Sequence, residues 1–194
     1  AGVGLLTYFG HGSTTVTDLD IGYITDAARA YNNQGKYPLL YFNGCGVGNV
    51  FSARFNTSPS SSDRIALSLD WILAPKRGTV AIVANTFDTY VSSTSNYLDK
   101  LYTALFLDAN TSKQSIGKIQ AEVARRIFAE GYNAYEVANV HQALLQGDPA
   151  LKMIYVSLPD YSVVADESIM IYSESANKTI EKSTTLTAAI FIKN

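Results

Sequence analysis

The sequence predicts an α/β domain built on a mostly parallel sheet flanked by helices, followed by a shorter β-rich segment. Three short apolar runs, VGLLTYF (3–9), PLLYFN (38–43) and TVAIVAN (79–85), have the length and texture of strands buried on both faces. Between and after them the apolar residues recur at helical spacing. From Leu158 onward that spacing disappears, and YSVVADESIMIY and TLTAAIFIKN read as strands.

Taken in order, residues 3–9 form the first strand and stop at Gly10. After the loop GHGSTTVTD, Asp20 is placed to cap a helix whose apolar side is Ile21, Ile24, Ala28 and Tyr31. Gly35 suits a left-handed exit from it and Pro38 cannot continue it. The run 38–43 is then a second strand, parallel to the first through a right-handed crossover. The turn formers NTSPSSSD lead to a helix marked by Ile65, Ala66, Leu69, Ile72 and Leu73, which PKRG stops before the third strand at 79–85. Further helices are expected near 94–108, 115–130 and 133–145, and the Gly-Asp-Pro turn of QGDPALKM is expected to lead into another strand. The division expected is 1–155 for the α/β part and 156–194 for a partial β-sandwich-like module.

Composition narrows the function. A chain of 194 residues with 47% hydrophobic and 16% charged residues has the makings of a packed core and is unlike a disordered tail. A formal charge of −2 and the lack of any Lys/Arg cluster argue against nucleic acid as a partner. No apolar run reaches the ~20 residues that span a bilayer. One cysteine excludes an intrachain disulfide framework. The opening AGVGLLTYFG lacks the basic start of a signal peptide and begins directly on a strand, from which we expect a piece of a longer chain whose sheet shows an open edge or an exposed apolar face.

That one cysteine, Cys45, lies in NGCG at the end of the second strand, and His11 lies in GHGS at the end of the first. In open parallel sheets ligands bind beyond the carboxyl ends of the strands. Adjacent strands are ~5 Å apart, so the topology brings imidazole and thiol to one crevice. An imidazolium stabilises a neighbouring thiolate, and the same ring can protonate a leaving amine and then activate water. The backbone N–H groups of Gly12 and Cys45 lie on these loops and are candidates for holding an oxyanion.

Other motifs carry less. In GCGVGN the third glycine of a dinucleotide fingerprint falls on Asn49. A nucleophile elbow needs glycine where Val47 stands. Cys45, His11 and His141 lack the spacing of a zinc site, so no metal and no cofactor is expected. His141 suits a structural place on its helix, Asp148 suits a turn, and Asp70 and Asp88 suit solvated or structural places.

With these residues in view, the chain resembles caspase-like cysteine peptidases and, more specifically, the gingipain family of bacterial cysteine peptidases. YFGHGS resembles the family's histidine loop and YFNGCGVGNVF its cysteine loop; RGTVAIVANTFDTYVSST and HQALLQGDPALKM resemble its later segments, in the same order. The likeness covers roughly residues 3–155. It implies a caspase-like fold and an endopeptidase with Cys45 as nucleophile, His11 as general acid/base, and Gly12 and Cys45 N–H groups as the oxyanion hole. It also implies substrate contacts from Ser13, Gly44, Thr86, Phe87, Asp88, Tyr90 and Val91. Gly44 stands where the family has alanine, and the pocket loop has no tryptophan, so the resemblance does not extend to Arg or Lys specificity.

The resemblance further implies a protein or peptide substrate, a secreted or cell-surface bacterial setting, and an immunoglobulin-like module after residue 155. It places the acid that orients the histidine in an upstream part of the parent chain, so that the chain alone is expected to be a fragment with little or no activity. Alternatives of other kinds are a secretion-linked processing peptidase or transpeptidase, which shares the thioester, and a non-catalytic surface binding module with the same fold.

Overall fold

The structure, a computed structural model, describes residues 2–51, 65–153, 169–173 and 186–190. It divides into two units, Ala1–Ile154 and Tyr155–Asn194. The first contains a four-stranded sheet in the order β1 (Leu5–Phe9), β2 (Leu39–Asn43), β3 (Ala81–Asn85), β4 (Ala143–Gly147). The pairs β1–β2 and β2–β3 are parallel, and β3–β4 is antiparallel. Among the described residues β1 has a strand neighbour on one side only.

The two central strands are buried because both faces of the sheet are covered there, whereas the outer strands β1, expected to be buried on both faces, and β4 are mostly half-buried. On one face Leu39, Tyr41, Ala81 and Val83 pack with residues of α2 (Val91–Tyr102) and α3 (Ile116–Ala129). Helix α3 presents Ile116, Ile119, Val123 and Ile127, an apolar stripe at helical period, and all four are buried. On the other face Leu40, Phe42, Ile82 and Ala84 pack with Leu67 and Trp71 of α1 (Leu67–Leu73) and with Tyr23 and Ile24. Every residue of β2 and of β3 is buried, which accounts for their unbroken apolar sequences. Helix α4 (Ala134–Gln142) begins with a reciprocal capping box between Asn133 and Glu136.

Two sequence expectations are corrected. The segment after Asp20 is not an α-helix: it is a packed loop whose one regular turn is a 3-10 turn at Ala27–Arg29. Gly22 has φ +58, and the Arg29 side chain occupies the space a Cβ there would need. Asp20 does not cap; its carboxylate pairs with the Arg29 guanidinium at 2.5 Å. The loop's polar backbone is satisfied from outside a helix: Trp71 Nε1 donates to Gly22 C=O at 2.8 Å, Tyr31 hydroxyl to Ile21 C=O at 2.7 Å, and Thr25 N–H to the buried Asp70 carboxylate at 3.1 Å. The helical spacing of Ile21, Ile24 and Tyr31 thus reflects a loop that packs inward.

The second correction concerns the Gly-Asp-Pro turn. It follows a strand, β4, whose residues 143–145 were expected to be helical. A five-residue run of helix-forming composition became strand because β3 offers it an antiparallel edge, with Val83 beside Leu145. The expected helix at 94–108 runs as α2 and then as a π-helical turn, Thr103–Leu107.

The loop NTSPSSSD lies outside the described residues, as does most of the β-rich tail. Within the second unit, β5 (Ile169–Ser173) pairs antiparallel with β6 (Leu186–Ile190).

Tyr41 and Tyr97 stack between sheet and α2, ring centroids 6.0 Å apart. Burial raises the pKa of both phenols, that of Tyr97 to about 12. A phenol unfolds to a pKa of about 10. The raised folded values contribute stability that is complete below pH 10 and is lost as pH climbs toward them. Urea unfolding at pH 9 and pH 11 is expected to show a marked fall in stability, and Tyr97→Phe to flatten that slope.

Candidate active site

The carboxyl ends of β1, β2 and β3 open on one cleft of about 220 Å³, lined by Phe9, Gly10, His11, Asn43, Cys45, Thr89, Val91 and Thr94. His11 and Cys45, 34 residues apart in sequence (45 − 11), therefore face the same space. They are the only ionisable side chains among those lining residues. The position follows from register: Phe9 lies beside Asn43, so the first residues past each strand emerge side by side.

The histidine loop is held through its backbone. Gly10 N–H donates to Asn43 C=O at 3.1 Å, carrying the parallel ladder beyond β1. The His11 carbonyl accepts from the Tyr8 hydroxyl at 2.6 Å and from Asp18 N–H at 3.2 Å, and Asp18 N–H also reaches the Tyr8 hydroxyl at 3.1 Å. Ser13 N–H donates to Val16 C=O at 2.8 Å. With the Asp18–His11 bond, this makes Gly12–Thr17 a bridge of the non-hydrogen-bonded kind, so Gly12 N–H points away from the Thr17 strand. The His11 side chain is exposed, and among the described residues no side chain hydrogen-bonds its ring.

The cysteine loop is fastened to the exit of β3. Gly46 N–H donates to Phe87 C=O at 3.1 Å and Gly48 N–H to Asn85 C=O at 2.9 Å. Glycine is required twice here: Gly46 has φ +65, and a Cβ on Gly48 would stand 2.6 Å from the Ala84 carbonyl oxygen. A Cβ on Gly44 would meet Val47 at 3.2 Å and the Gly10 carbonyl at 3.3 Å, a tight but accommodable fit. Cys45 is half-buried. Its sulfur accepts from Thr89 N–H at 3.4 Å and lies 3.7 Å from the Thr89 hydroxyl.

Beneath the cleft, the Asn85 amide donates to Asn43 Oδ1 at 2.9 Å, and both residues are buried. Asn43 Nδ2 has no partner among the described residues.

The third loop is anchored to α4. Thr86 N–H donates to Gln142 C=O at 3.0 Å, Gln142 Nε2 donates to Asp88 C=O at 3.0 Å, and the Tyr90 and Tyr135 rings meet at 4.3 Å. Of the residues expected to contact substrate, Val91 lines the cleft. Thr86 is half-buried and Ser13, Phe87, Asp88 and Tyr90 are exposed, all five outside the lining. Gly44 is buried under the His11 loop. Asp88 takes part through its carbonyl. Thr89 lies in the loop 86–91 that the resemblance places at the pocket, though its contact with the sulfur is not readable from sequence. Thr94 and Asn43 are not singled out by the sequence, and the signal for Asn43 is a polar residue closing a wholly buried strand just before Gly-Cys.

A half-buried thiol and an imidazole at the carboxyl edge of a caspase-like sheet define the class of a cysteine-peptidase fold. Residues 1–154 match peptidase family C25, and the chain belongs to that family. No curated protein matches it. Among solved structures it is similar to the Arg-specific cysteine proteinase gingipain R (RgpB), at 18% identity and a TM-score of 0.65, covering 97% of this chain and 47% of that one. A complex of the Porphyromonas gingivalis RgpB pro- and mature domains matches at 18% identity and a TM-score of 0.66, covering 97% and 48%. A structure described only as a protease matches at 15% identity and a TM-score of 0.61. The chain spans about half the length of these structures.

Gly48→Ala drives a methyl group into the β3 backbone. Overpacking of this kind costs about 1–3 kcal/mol, and urea unfolding of the variant is expected to show a loss in that range.

Proposed function

We propose that the chain carries the nucleophile and the general acid/base of a cysteine endopeptidase that cleaves protein or peptide substrates. The observation that carries the reading is that two parallel strands deliver His11 and Cys45 to one cleft. Family membership supports it, and so does the absence of any competing ionisable group among the lining residues.

In this reading the Cys45 thiolate attacks the scissile carbonyl and a thioester forms as His11 protonates the departing amine. His11 then takes a proton from water, whose oxygen attacks the thioester; the acid is released and the thiolate is restored beside the imidazolium. The Gly12 N–H, turned out of its bridge, and the Cys45 N–H stabilise the oxyanion; each such donor contributes about 3 kcal/mol at the transition state. The exposed His11 ring is to be oriented by an acid outside this sequence, in an upstream segment of the parent protein. Residues 1–155 are the catalytic portion and 156–194 a following β-rich module, and the parent protein acts at the bacterial surface or beyond it.

An electrophilic peptidyl ketone tests the assignment. Labelling is expected at Cys45 and is expected to vanish in His11→Ala. Labelling that ignores His11 would indicate a binding module whose thiol is merely accessible. In the parent protein, Cys45→Ala is expected to remove peptide hydrolysis by at least ~1000-fold.

A further inference from the structure

The assignment of His11 leaves a contact of the sulfur, that with Thr89, without a role. Thr89 comes from the third loop, lines the cleft, and directs two donors at one atom: its N–H at 3.4 Å and its hydroxyl at 3.7 Å from Cys45 Sγ. While the sulfur carries its proton, either partner of the hydroxyl contact can donate. Once the sulfur is a thiolate it has no proton to give, and the Thr89 hydroxyl becomes the donor. Hydrogen bonds to an ionised acceptor are about twice as strong as those between neutral groups. The contact therefore strengthens when the thiol ionises, which is the requirement for favouring the charged form.

The surroundings keep these donors in place. Thr89 follows Asp88, whose carbonyl holds Gln142 Nε2 at 3.0 Å, and precedes Tyr90, whose ring packs on Tyr135. Tyr90 C=O then accepts the N–H of Thr94 at 3.0 Å as α2 begins. On the sulfur's side, Gly46 N–H grips Phe87 C=O, so the two loops are joined two residues before Thr89 and one after Cys45. The His11 ring, in contrast, is exposed and hydrogen-bonded by no described side chain.

We infer that Thr89 is a thiolate-holding residue: its hydroxyl and N–H stabilise and aim the ionised sulfur of Cys45 independently of His11. The inference rests on the reading of Cys45 as the nucleophile, but its test does not depend on peptide hydrolysis. Because Cys45 is the only cysteine, alkylation of the chain reports on that sulfur alone.

The experiment measures the rate of iodoacetamide alkylation at pH 6 and on the alkaline plateau where the thiol is fully ionised, and takes their ratio, which is the thiolate fraction at pH 6. Thr89→Val removes the hydroxyl and keeps the N–H; the ratio is expected to fall about threefold to tenfold, a shift of up to about one decade. Thr89→Ser keeps the hydroxyl and is expected to stay within about twofold of the parent. In a His11→Ala background the Thr89→Val change is expected to lower the ratio by the same factor.

Thr89→Ala gives the same readout without added bulk if the valine variant fails to fold. An unchanged ratio in the folded hydroxyl-free variant overturns the inference. So does a fall seen only with His11 present, which would mean that Thr89 acts through the ring. Should the parent protein show no peptide hydrolysis while the ratio still falls, the peptidase reading fails and the role of Thr89 stands. Hydrolysis with an unchanged ratio removes only the role of Thr89.

Discussion

The parallel register of β1, β2 and β3 is the constraint on which the rest depends. It sets Phe9 beside Asn43 and Phe42 beside Ala84, so three chain exits emerge together at one edge. The ladder does not stop at the strand ends. Gly10 N–H continues it to Asn43 C=O, and Gly48 N–H returns it to Asn85 C=O. The loops that carry His11 and Cys45 are thus extensions of the sheet, and backbone hydrogen bonds fix their origins to within a bond length. A slip of one residue in β2 would turn Asn43 to the opposite face and carry the cysteine loop away from its anchors on β3.

Polarity begins under the cleft. Asn43 and Asn85 sit side by side where Tyr41 and Val83 stand one pleat earlier, and the Asn85 amide donates to Asn43 Oδ1. Asn43 also lines the cleft. Apolar residues at both positions would extend the core that β2 and β3 already share. The amide pair marks the level at which the sheet stops being core and becomes the floor of a polar site.

Much of this was legible in the sequence, for a physical reason. Strands buried on both faces must be apolar, so β2 and β3 stood out; β1 carries the same texture although it is only half-buried, and the glycine-flanked His11 and Cys45 fell at the ends of β1 and β2 without any knowledge of packing. The loop after Asp20 was misread because inward-facing Ile21, Ile24 and Tyr31 produce helical spacing by coincidence, while the side chains that satisfy its carbonyls, such as Trp71 Nε1, lie 49 residues away in sequence. Strand β4 was misread because ALLQG has no local preference strong enough to reveal the edge of β3. The loop of Thr89 was expected at the pocket, but its contact with the sulfur was not legible for a similar cause, being a distance to an atom 44 positions earlier.

The two halves of the candidate site are held differently, and the proposed chemistry gives a reason. The sulfur stands between loops joined by the Gly46–Phe87 bond and contacts Thr89, so it is held before substrate arrives. At His11 the backbone is fixed by Tyr8 and Asp18, but the ring itself is left exposed. A nucleophile needs a fixed approach to one carbon, and misplacement by an ångström costs orders of magnitude in rate. A proton carrier must serve first the leaving amine and then the incoming water, which occupy different places. In the proposed mechanism a sulfur held between two joined loops meets the first demand, and an imidazole whose backbone alone is fixed within this chain leaves the second to the proposed upstream acid.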